Sequence, residues 1–279
     1  MSRTLQCGRF ELDLGRPLIM GILNVTPDSF SDGLRHFSTA TALEHARQLI
    51  AEGADMLDIG GESTRPGAEP VSATEELNRI LPVIDALRDA GIPLSVDTFK
   101  PEVMRRVLEA GVDMINDIYG FRRDGALDAV AGSACGLCAM HMQGDPKTMQ
   151  QAPAYDDVLD EVTPFLRDRT QAMTQAGVDR RRIVLDPGLG FGKTAQQNYL
   201  LLRRLRDIDV DGYPWLIGLS RKSMIGHVTG RTPGERLGGS IAGALAAVAR
   251  GAHILRVHDV AATVDAVKVW NAVEHGDFL

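Results

Sequence analysis

The sequence predicts an α/β fold, a single-domain (β/α)8 TIM barrel that is preceded by a short N-terminal β-hairpin. The main observation is that a short apolar run, a polar loop and an amphipathic helix recur eight times within 279 residues; a barrel of this kind typically takes about 250 residues. An open doubly wound sheet is the alternative, but the first apolar run lacks the glycine-rich fingerprint typical of that fold. No linker-like stretch divides the chain, so we predict one domain over 1–279, with the hairpin in 1–15 and the barrel in 16–279.

The apolar runs are short and end in polar residues, as expected for buried parallel strands. They are Leu18–Leu23, Ala54–Gly60, Ile92–Val96, Asp113–Ile115, Gly136–Met142, Arg182–Leu185, Trp215–Leu219 and His253–Val257. The segment before them, Leu5–Leu14, alternates around Gly8 and predicts the hairpin.

The helices are predicted from apolar residues spaced three and four apart and from their start signals. Ser72 and Glu75 form a capping box, Pro101 suits a first helical turn, and Thr194 can cap a helix. The remaining predicted helices are Ala40–Glu52, Asp124–Ala131, Asp156–Ala176, Glu235–Arg250 and Val260–Val273.

Composition excludes several classes of protein. The formal net charge is −7, and no basic run exceeds Arg180–Arg182, which argues against a nucleic-acid partner. The three cysteines indicate a reducing compartment rather than a disulfide framework. The N-terminus has no signal-like apolar core, and the longest small-apolar run, Ile241–Ala249, is far short of the ~20 residues of a membrane span. We therefore expect a cytoplasmic protein without a membrane partner.

Polar residues follow the apolar runs at the points where the strands end. In a barrel these ends share one rim, and active sites lie there. The acceptors in this group are Asp97, Asn116 and Asp186, and the cations are Arg65, Arg221, Lys222 and Arg256, with His258 beside them. Asn24, at the end of the first run, has a hard oxygen that Mg²⁺ could use near the phosphates.

The acceptors suit a flat ligand with several N–H donors, and the cations suit a phosphate group. A carboxylate metal cluster is an alternative, although an asparagine is unusual in one. Each residue also has a structural alternative: Asp117 and Asp259 can be turn or cap residues, and Arg221 can pair with a nearby carboxylate.

A glycine-rich stretch, Pro187–Thr194, ends like a phosphate-binding loop. That motif requires glycine where Pro187 stands, so we reject it. We predict instead a tight turn against which a flat ligand lies, with Phe191 facing that ligand.

Eight stretches along the chain resemble the dihydropteroate synthase family in order and composition. They are NVTPDSFSDG, DIGGESTRPGA, SVDTFKPEV, IND, HMQGDPKTMQ, LDPGLGFGKT, GLSRKSMIG and RVHDV. The resemblance covers the chain from about Leu18 to Asp259. It implies the joining of (7,8-dihydropterin-6-yl)methyl diphosphate to 4-aminobenzoate, with Mg²⁺, a homodimer, and sulfonamides as competitors of the amine.

The resemblance also implies roles for individual residues. The expected pterin diphosphate contacts are Thr64, Asp97, Asn116, Asp186, Lys222, Arg256 and His258. The expected contacts of 4-aminobenzoate and two mobile loops are Phe30, Thr64, Arg65, Pro66, Phe191 and Ser223. Asn24 is the expected Mg²⁺ ligand, and Val25–Gly33 the expected lid. We assign the catalytic roles to Arg256, His258, Lys222 and Asp97.

Two other functions share part of this pattern. A pteridine-binding barrel of the methyltetrahydrofolate methyltransferase kind would use the same acceptors without the cations Arg256 and His258. A non-catalytic family member would have lost part of the set formed by Asn24, Arg65, Lys222 and Arg256, and this chain keeps all four.

Overall fold

A computed structural model of the chain describes residues 4–26, 39–63, 69–208 and 210–276. Its strands are β1 (Thr4–Cys7), β2 (Phe10–Asp13), β3 (Leu18–Asn24), β4 (Met56–Gly60), β5 (Leu94–Asp97), β6 (Met114–Asp117), β7 (Gly136–Met140), β8 (Ile183–Asp186), β9 (Trp215–Ile217) and β10 (Ala252–Val257). Its α-helices are α1 (Thr39–Ala51), α2 (Ala73–Leu87), α3 (Pro101–Glu109), α4 (Ala126–Val130), α5 (Val158–Gln175), α6 (Ala195–Arg203), α7 (Ser223–Thr229), α8 (Leu237–Val248) and α9 (Val260–His275).

The strands β3 to β10 form a closed barrel. They pair in chain order, and β10 closes the ring between β9 and β3. Every pairing in the ring is parallel. The strands β1 and β2 form a separate antiparallel hairpin. The predicted barrel with an N-terminal hairpin is therefore confirmed.

Successive side chains of a strand point to opposite faces, so each strand serves two cores. The outward side chains, such as Ile19, Leu57 and Ile115, pack in the large core shared with the helices. The inward side chains near the strand beginnings, such as Met20 and Met56, form a second apolar cluster inside the barrel.

The hairpin closes the N-terminal end of the barrel. Leu5 and Cys7 are fully buried and belong to the interior cluster. Arg9 pairs with the buried carboxylate of Asp113, with 2.9 Å between Nη2 and Oδ2. This end is thus plugged by apolar side chains, and the opposite end carries the polar strand termini.

The structure shifts the ends of most predicted elements by one or two residues and adds one short helix. The fifth barrel strand ends at Met140 rather than Met142, for example, and the seventh ends at Ile217 rather than Leu219. A short helix, α7, begins directly after Lys222 and was not predicted, because seven residues are too few to display helical periodicity. Across the described ranges, no helix combines the length and the apolar character that a membrane crossing requires.

Candidate active site

The predicted acceptors lie side by side at the C-terminal rim. In the register of the barrel, Asn24 pairs with Gly60, Gly60 with Asp97, and Asp97 with Asn116. A methyl group at Gly60 would lie 3.7 Å from the Asn24 Oδ1 and 3.8 Å from the Asp97 Cβ. The Asn24 and Asp97 side chains therefore flank Gly60 on the same face of the barrel.

Arg256 joins the acceptors to the cations. Its Nη2 donates to Asp97 Oδ2 at 2.9 Å, and its Nε donates to Asp58 Oδ2. The sequence placed the acceptors and the cations in two groups. In the structure Arg256 lies between the carboxylates of Asp58 and Asp97, so the two groups form one continuous site.

Sequence reasoning did not identify Asp58. The residue lies within the apolar run of β4, and we considered only residues that end such runs. Side chains two residues apart on a strand point to the same face. Asp58 is two residues from both Met56 and Gly60, so strand periodicity places it on their inward face. Asp58 is fully buried, and its Oδ1 accepts a hydrogen bond from Ser95 Oγ at 2.6 Å.

Asn116 is held by the same carboxylate. Its Nδ2 donates to Asp58 Oδ2 at 3.0 Å, and the side chain is buried at the end of β6. Because an ionised carboxylate only accepts hydrogen bonds, the NH₂ group of the Asn116 amide is the one that faces Asp58. The amide oxygen of Asn116 is therefore turned away from Asp58 and can accept from a ligand.

Burial controls the charges in the site. Burial raises the pKa of Asp97 to about 7. The Arg256 guanidinium lowers this pKa, and the Asp58 carboxylate raises it further. Burial also raises the pKa of Asp186, which the Lys222 ammonium opposes. The pKa of Lys222 is lowered to about 8, first by burial and then by Arg256, while Asp186 opposes the shift. The site thus has two carboxylates whose ionisation would be favoured by N–H donors.

The glycine-rich turn predicted from the sequence lies beside Lys222. The Lys222 Nζ donates to the carbonyl oxygen of Leu189 and lies 4.7 Å from the centre of the Phe191 ring. A side chain at Gly190 would meet Lys222 Cδ at 3.0 Å, so glycine is needed for this close approach. Gly188 donates its backbone N–H to Asp186 Oδ1 at 2.7 Å, which fixes the start of the turn.

Lys193 does not face the rim. Its Nζ is buried inside the turn, where it lies 3.0 Å from the carbonyl oxygens of Gly188 and Phe191 and 2.9 Å from His141 Nδ1. The structure therefore agrees with the rejection of a phosphate-binding loop, because this lysine holds the turn together.

Three other strand-end residues have structural partners. Arg221 forms a two-pronged ion pair with Asp259, the alternative left open by the sequence. Asp117 accepts hydrogen bonds from the backbone N–H groups of Tyr119 at 2.8 Å and Phe121 at 2.7 Å. These contacts stabilise the β6 turn, although burial raises the pKa of Asp117 to about 6.

His258 lies on the cation side of the rim, beyond the end of β10. Its backbone N–H and its Nδ1 both contact Ser220 Oγ, at 3.2 and 3.0 Å. Ser220 immediately precedes Arg221 and Lys222, so this contact fixes His258 beside the cation-bearing loop. Ser223 follows Lys222 as the exposed first residue of α7.

A comparison with protein families identifies the chain. The model of the family described as "Pterin binding enzyme" matches residues 20–258, which include every barrel strand except the first residues of β3. A dihydropteroate synthase of Neisseria meningitidis serogroup C is 53% identical over 273 residues, which cover 96% of this chain and 96% of the relative. The chain belongs to the dihydropteroate synthase family.

Solved structures of this family have the same fold. The dihydropteroate synthase of Burkholderia cenocepacia in complex with 7,8-dihydropteroate is 56% identical, with a TM-score of 0.91 over 99% of this chain and 98% of that one. The Xanthomonas albilineans enzyme with 4-aminobenzoic acid is 53% identical, with a TM-score of 0.93 over 99% of each chain. A sulfonamide complex of the Yersinia pestis enzyme is 46% identical, with a TM-score of 0.92 over 97% of this chain and 98% of that one.

Four residues that the family resemblance assigns to the amine and the loops lie outside the described ranges. They are Phe30, Thr64, Arg65 and Pro66. Most of the predicted lid, Val25–Gly33, also lies outside, although Val25 itself is buried and donates its N–H to Gly60 O at 2.7 Å. The geometry above therefore concerns the residues that the family resemblance assigns to the pterin diphosphate, apart from Thr64, together with Phe191 and Ser223.

Proposed function

We propose that this chain condenses (7,8-dihydropterin-6-yl)methyl diphosphate with 4-aminobenzoate, giving 7,8-dihydropteroate and diphosphate in folate biosynthesis. The observation that carries the proposal is the cluster of buried and half-buried side chains of Asp97, Asn116, Asp186, Lys222 and Arg256 at one rim. It occurs in a chain that matches dihydropteroate synthases over nearly its whole length. The enzyme is thus a transferase of a pterin-methyl group.

The pterin ring has an exocyclic amine beside ring N–H groups, and these match the acceptors of the site. Asp97 and Asp186 accept from the N–H groups, and Asn116 accepts with the amide oxygen that faces away from Asp58. Lys222 serves the carbonyl side of the ring. The raised pKa values of Asp97 and Asp186 match this assignment, since donors from the ring stabilise the ionised carboxylates.

The reaction requires positioning and charge stabilisation more than a strong base. The amine nitrogen of 4-aminobenzoate forms a bond to the pterin methylene carbon, and the C–O bond to diphosphate breaks with its electron pair leaving on oxygen. The amine is neutral at pH 7, and its proton passes to solvent after the attack. Arg256 and His258 stabilise the negative charge of the leaving diphosphate, while Asp97 and Lys222 hold the ring in place.

We propose Mg²⁺ as the cofactor, held by Asn24. Within the described ranges no cluster of three His, Cys, Asp or Glu residues could hold a metal. The Asn24 Oδ1 is a single hard oxygen beside Asp97, which fits an ion that keeps several waters and binds mainly through substrate phosphates. When bound, the ion would neutralise charge on the diphosphate.

The amine site is proposed next to the pterin. Phe191 stands beside Lys222, and Ser223 follows it on α7; together with Phe30, Thr64, Arg65 and Pro66 they would surround 4-aminobenzoate. Sulfonamides resemble this amine, so we propose that they compete for the same site, as the Yersinia pestis complex suggests. We further propose that the chain is a cytoplasmic homodimer that binds neither nucleic acid nor membranes.

The experiment is a turnover assay with the purified chain, both substrates and Mg²⁺. We expect dihydropteroate and diphosphate in equal amounts. Arg256→Ala should lower kcat/KM for the pterin diphosphate by about 100-fold or more, because one donor to a developing charge typically contributes that much.

Two outcomes would overturn the proposal. One is binding of the pterin diphosphate without release of diphosphate, which would favour a methyltransferase-like barrel or a non-catalytic member. The other is an Arg256→Ala variant that keeps wild-type kcat/KM. Arg231→Ala is the matched control, because Arg231 pairs with Glu235 and its side chain is exposed.

A further inference from the structure

We infer that Asp58 is a positioning residue for the pterin diphosphate, acting through the amide of Asn116 and the guanidinium of Arg256. This inference rests on the proposed function. Asp58 has no exposed surface, so it does not contact a ligand itself. Its effect on the reaction must therefore pass through the side chains that it holds.

The two oxygens of Asp58 have separate tasks. Oδ1 accepts from Ser95 Oγ at 2.6 Å, which fixes the rotation of the carboxylate. Oδ2 accepts from Asn116 Nδ2 at 3.0 Å and from Arg256 Nε. One oxygen therefore sets the orientation of two groups that the proposed function places on the substrate.

The orientation of Asn116 determines which ligand edge is accepted. While Asp58 is an acceptor only, the amide must turn its NH₂ toward Asp58 and offer its oxygen to the ligand. An asparagine at position 58 carries no charge and has one acceptor oxygen in place of two. Its oxygen can accept from Asn116 and Arg256 only with its NH₂ turned to Ser95 Oγ, so the substitution weakens the hold on both side chains.

The position of Arg256 depends on the same carboxylate. Asp58 takes Nε and Asp97 takes Nη2, so the planar guanidinium is fixed along one edge by two carboxylates. Without the charge of Asp58, Arg256 would be held by Asp97 alone. The guanidinium would then compete with the pterin N–H groups for the oxygens of Asp97.

The test is steady-state kinetics of Asp58→Asn with both substrates. We expect KM for the pterin diphosphate to rise roughly 10-fold, the value of one charge-assisted hydrogen bond, while KM for 4-aminobenzoate stays unchanged. A variant with unchanged KM for the pterin diphosphate would overturn the inference.

A double-mutant cycle with Asn116→Ala tests the route of the effect. If Asp58 acts through Asn116, Asp58→Asn should raise KM for the pterin diphosphate by a smaller factor in the Asn116→Ala background than in wild type. Equal factors in the two backgrounds, in folded proteins, would contradict the orienting role.

The matched control is Asp113→Asn, a second buried strand carboxylate with an arginine partner. Asp113 pairs with Arg9 at the opposite end of the barrel and also accepts from the Leu94 N–H at 3.1 Å. This variant should lower the melting temperature and leave both KM values unchanged. An equal rise in KM for Asp113→Asn would show that loss of stability alone explains the effect.

Two further measurements keep the inference independent of folding and of turnover. If Asp58→Asn does not fold, Ser95→Ala is the second variant, because it removes only the hydroxyl that fixes the Asp58 carboxylate. It should raise KM for the pterin diphosphate by a smaller factor, and an unchanged KM would overturn the inference.

If the wild-type chain makes no product, the proposed function fails. Calorimetric titration of the pterin diphosphate into the same variants then tests Asp58 alone.

Discussion

At the scale of single residues, the site combines more buried carboxylates than cations. Asp58, Asp97 and Asp186 lie close to Arg256 and Lys222, and the pKa of Asp97 is raised to about 7 because burial disfavours its charge. A ligand that donates hydrogen bonds to Asp97 and Asp186 stabilises their ionised forms. The residues are therefore suited to a ring rich in N–H groups, even though the chain carries a net negative charge of −7.

These pKa shifts predict the pH dependence of catalysis. Asp97 accepts from the pterin only when ionised, so kcat/KM for the pterin diphosphate should rise as the pH increases through about 7. Lys222 acts only when protonated, so kcat/KM should fall as the pH increases through about 8. Arginine stays protonated in this range, so Lys222→Arg should retain activity and lose the alkaline decline. An alkaline decline that persists in this variant would exclude Lys222 as its source.

The sequence predicted the strand-end residues because each one is a polar residue that follows an apolar run. Asp97, Asn116 and Asp186 were found in this way, and the structure brings them together. The pairing of Arg256 with Asp58 was not predictable from local pattern, because the two residues are 198 positions apart and meet only when the barrel closes. Asp58 itself could have been found from strand alternation, which places it inside the barrel.

At the scale of elements, the turn between β8 and α6 depends on one buried lysine. The Lys193 Nζ contacts the carbonyl oxygens of Gly188 and Phe191 and the ring of His141. Burial lowers the pKa of Lys193 to about 7 and that of His141 to about 2. The sequence could not show that this lysine turns inward, because its neighbours resemble a phosphate-binding loop.

Lys193→Met should therefore destabilise the protein. Methionine fills the space but leaves buried carbonyl oxygens without a donor, which costs about 1–3 kcal/mol for each such group. We expect the melting temperature, followed by circular dichroism, to fall by roughly 5 °C or more. Lys147→Met is the control, because Lys147 is an exposed lysine paired with Glu69 at 3.4 Å. Equal melting temperatures for the two variants would contradict this role of Lys193.

At the scale of the whole molecule, the barrel interior changes from apolar to polar along its axis. Met20, Met56 and Met114 fill the end that the hairpin covers, and Asp58, Asp97 and the other rim residues occupy the opposite end. The repeated pattern of apolar run followed by polar loop predicted this division, and the family comparison agrees with the barrel. The hairpin was predicted as an element, but its position under the barrel depends on long-range contacts such as Arg9 with Asp113.

The central claim is that this rim binds the pterin diphosphate through its acceptors. The most direct measurement is calorimetric titration of the pterin diphosphate, without the amine, into wild type and Asp97→Asn. We predict a Kd that is roughly 10- to 100-fold higher for the variant, because a buried charged acceptor is lost. Asp113→Asn, which changes a buried strand carboxylate at the opposite end of the barrel, should bind as wild type does. An unchanged Kd in Asp97→Asn would contradict the account.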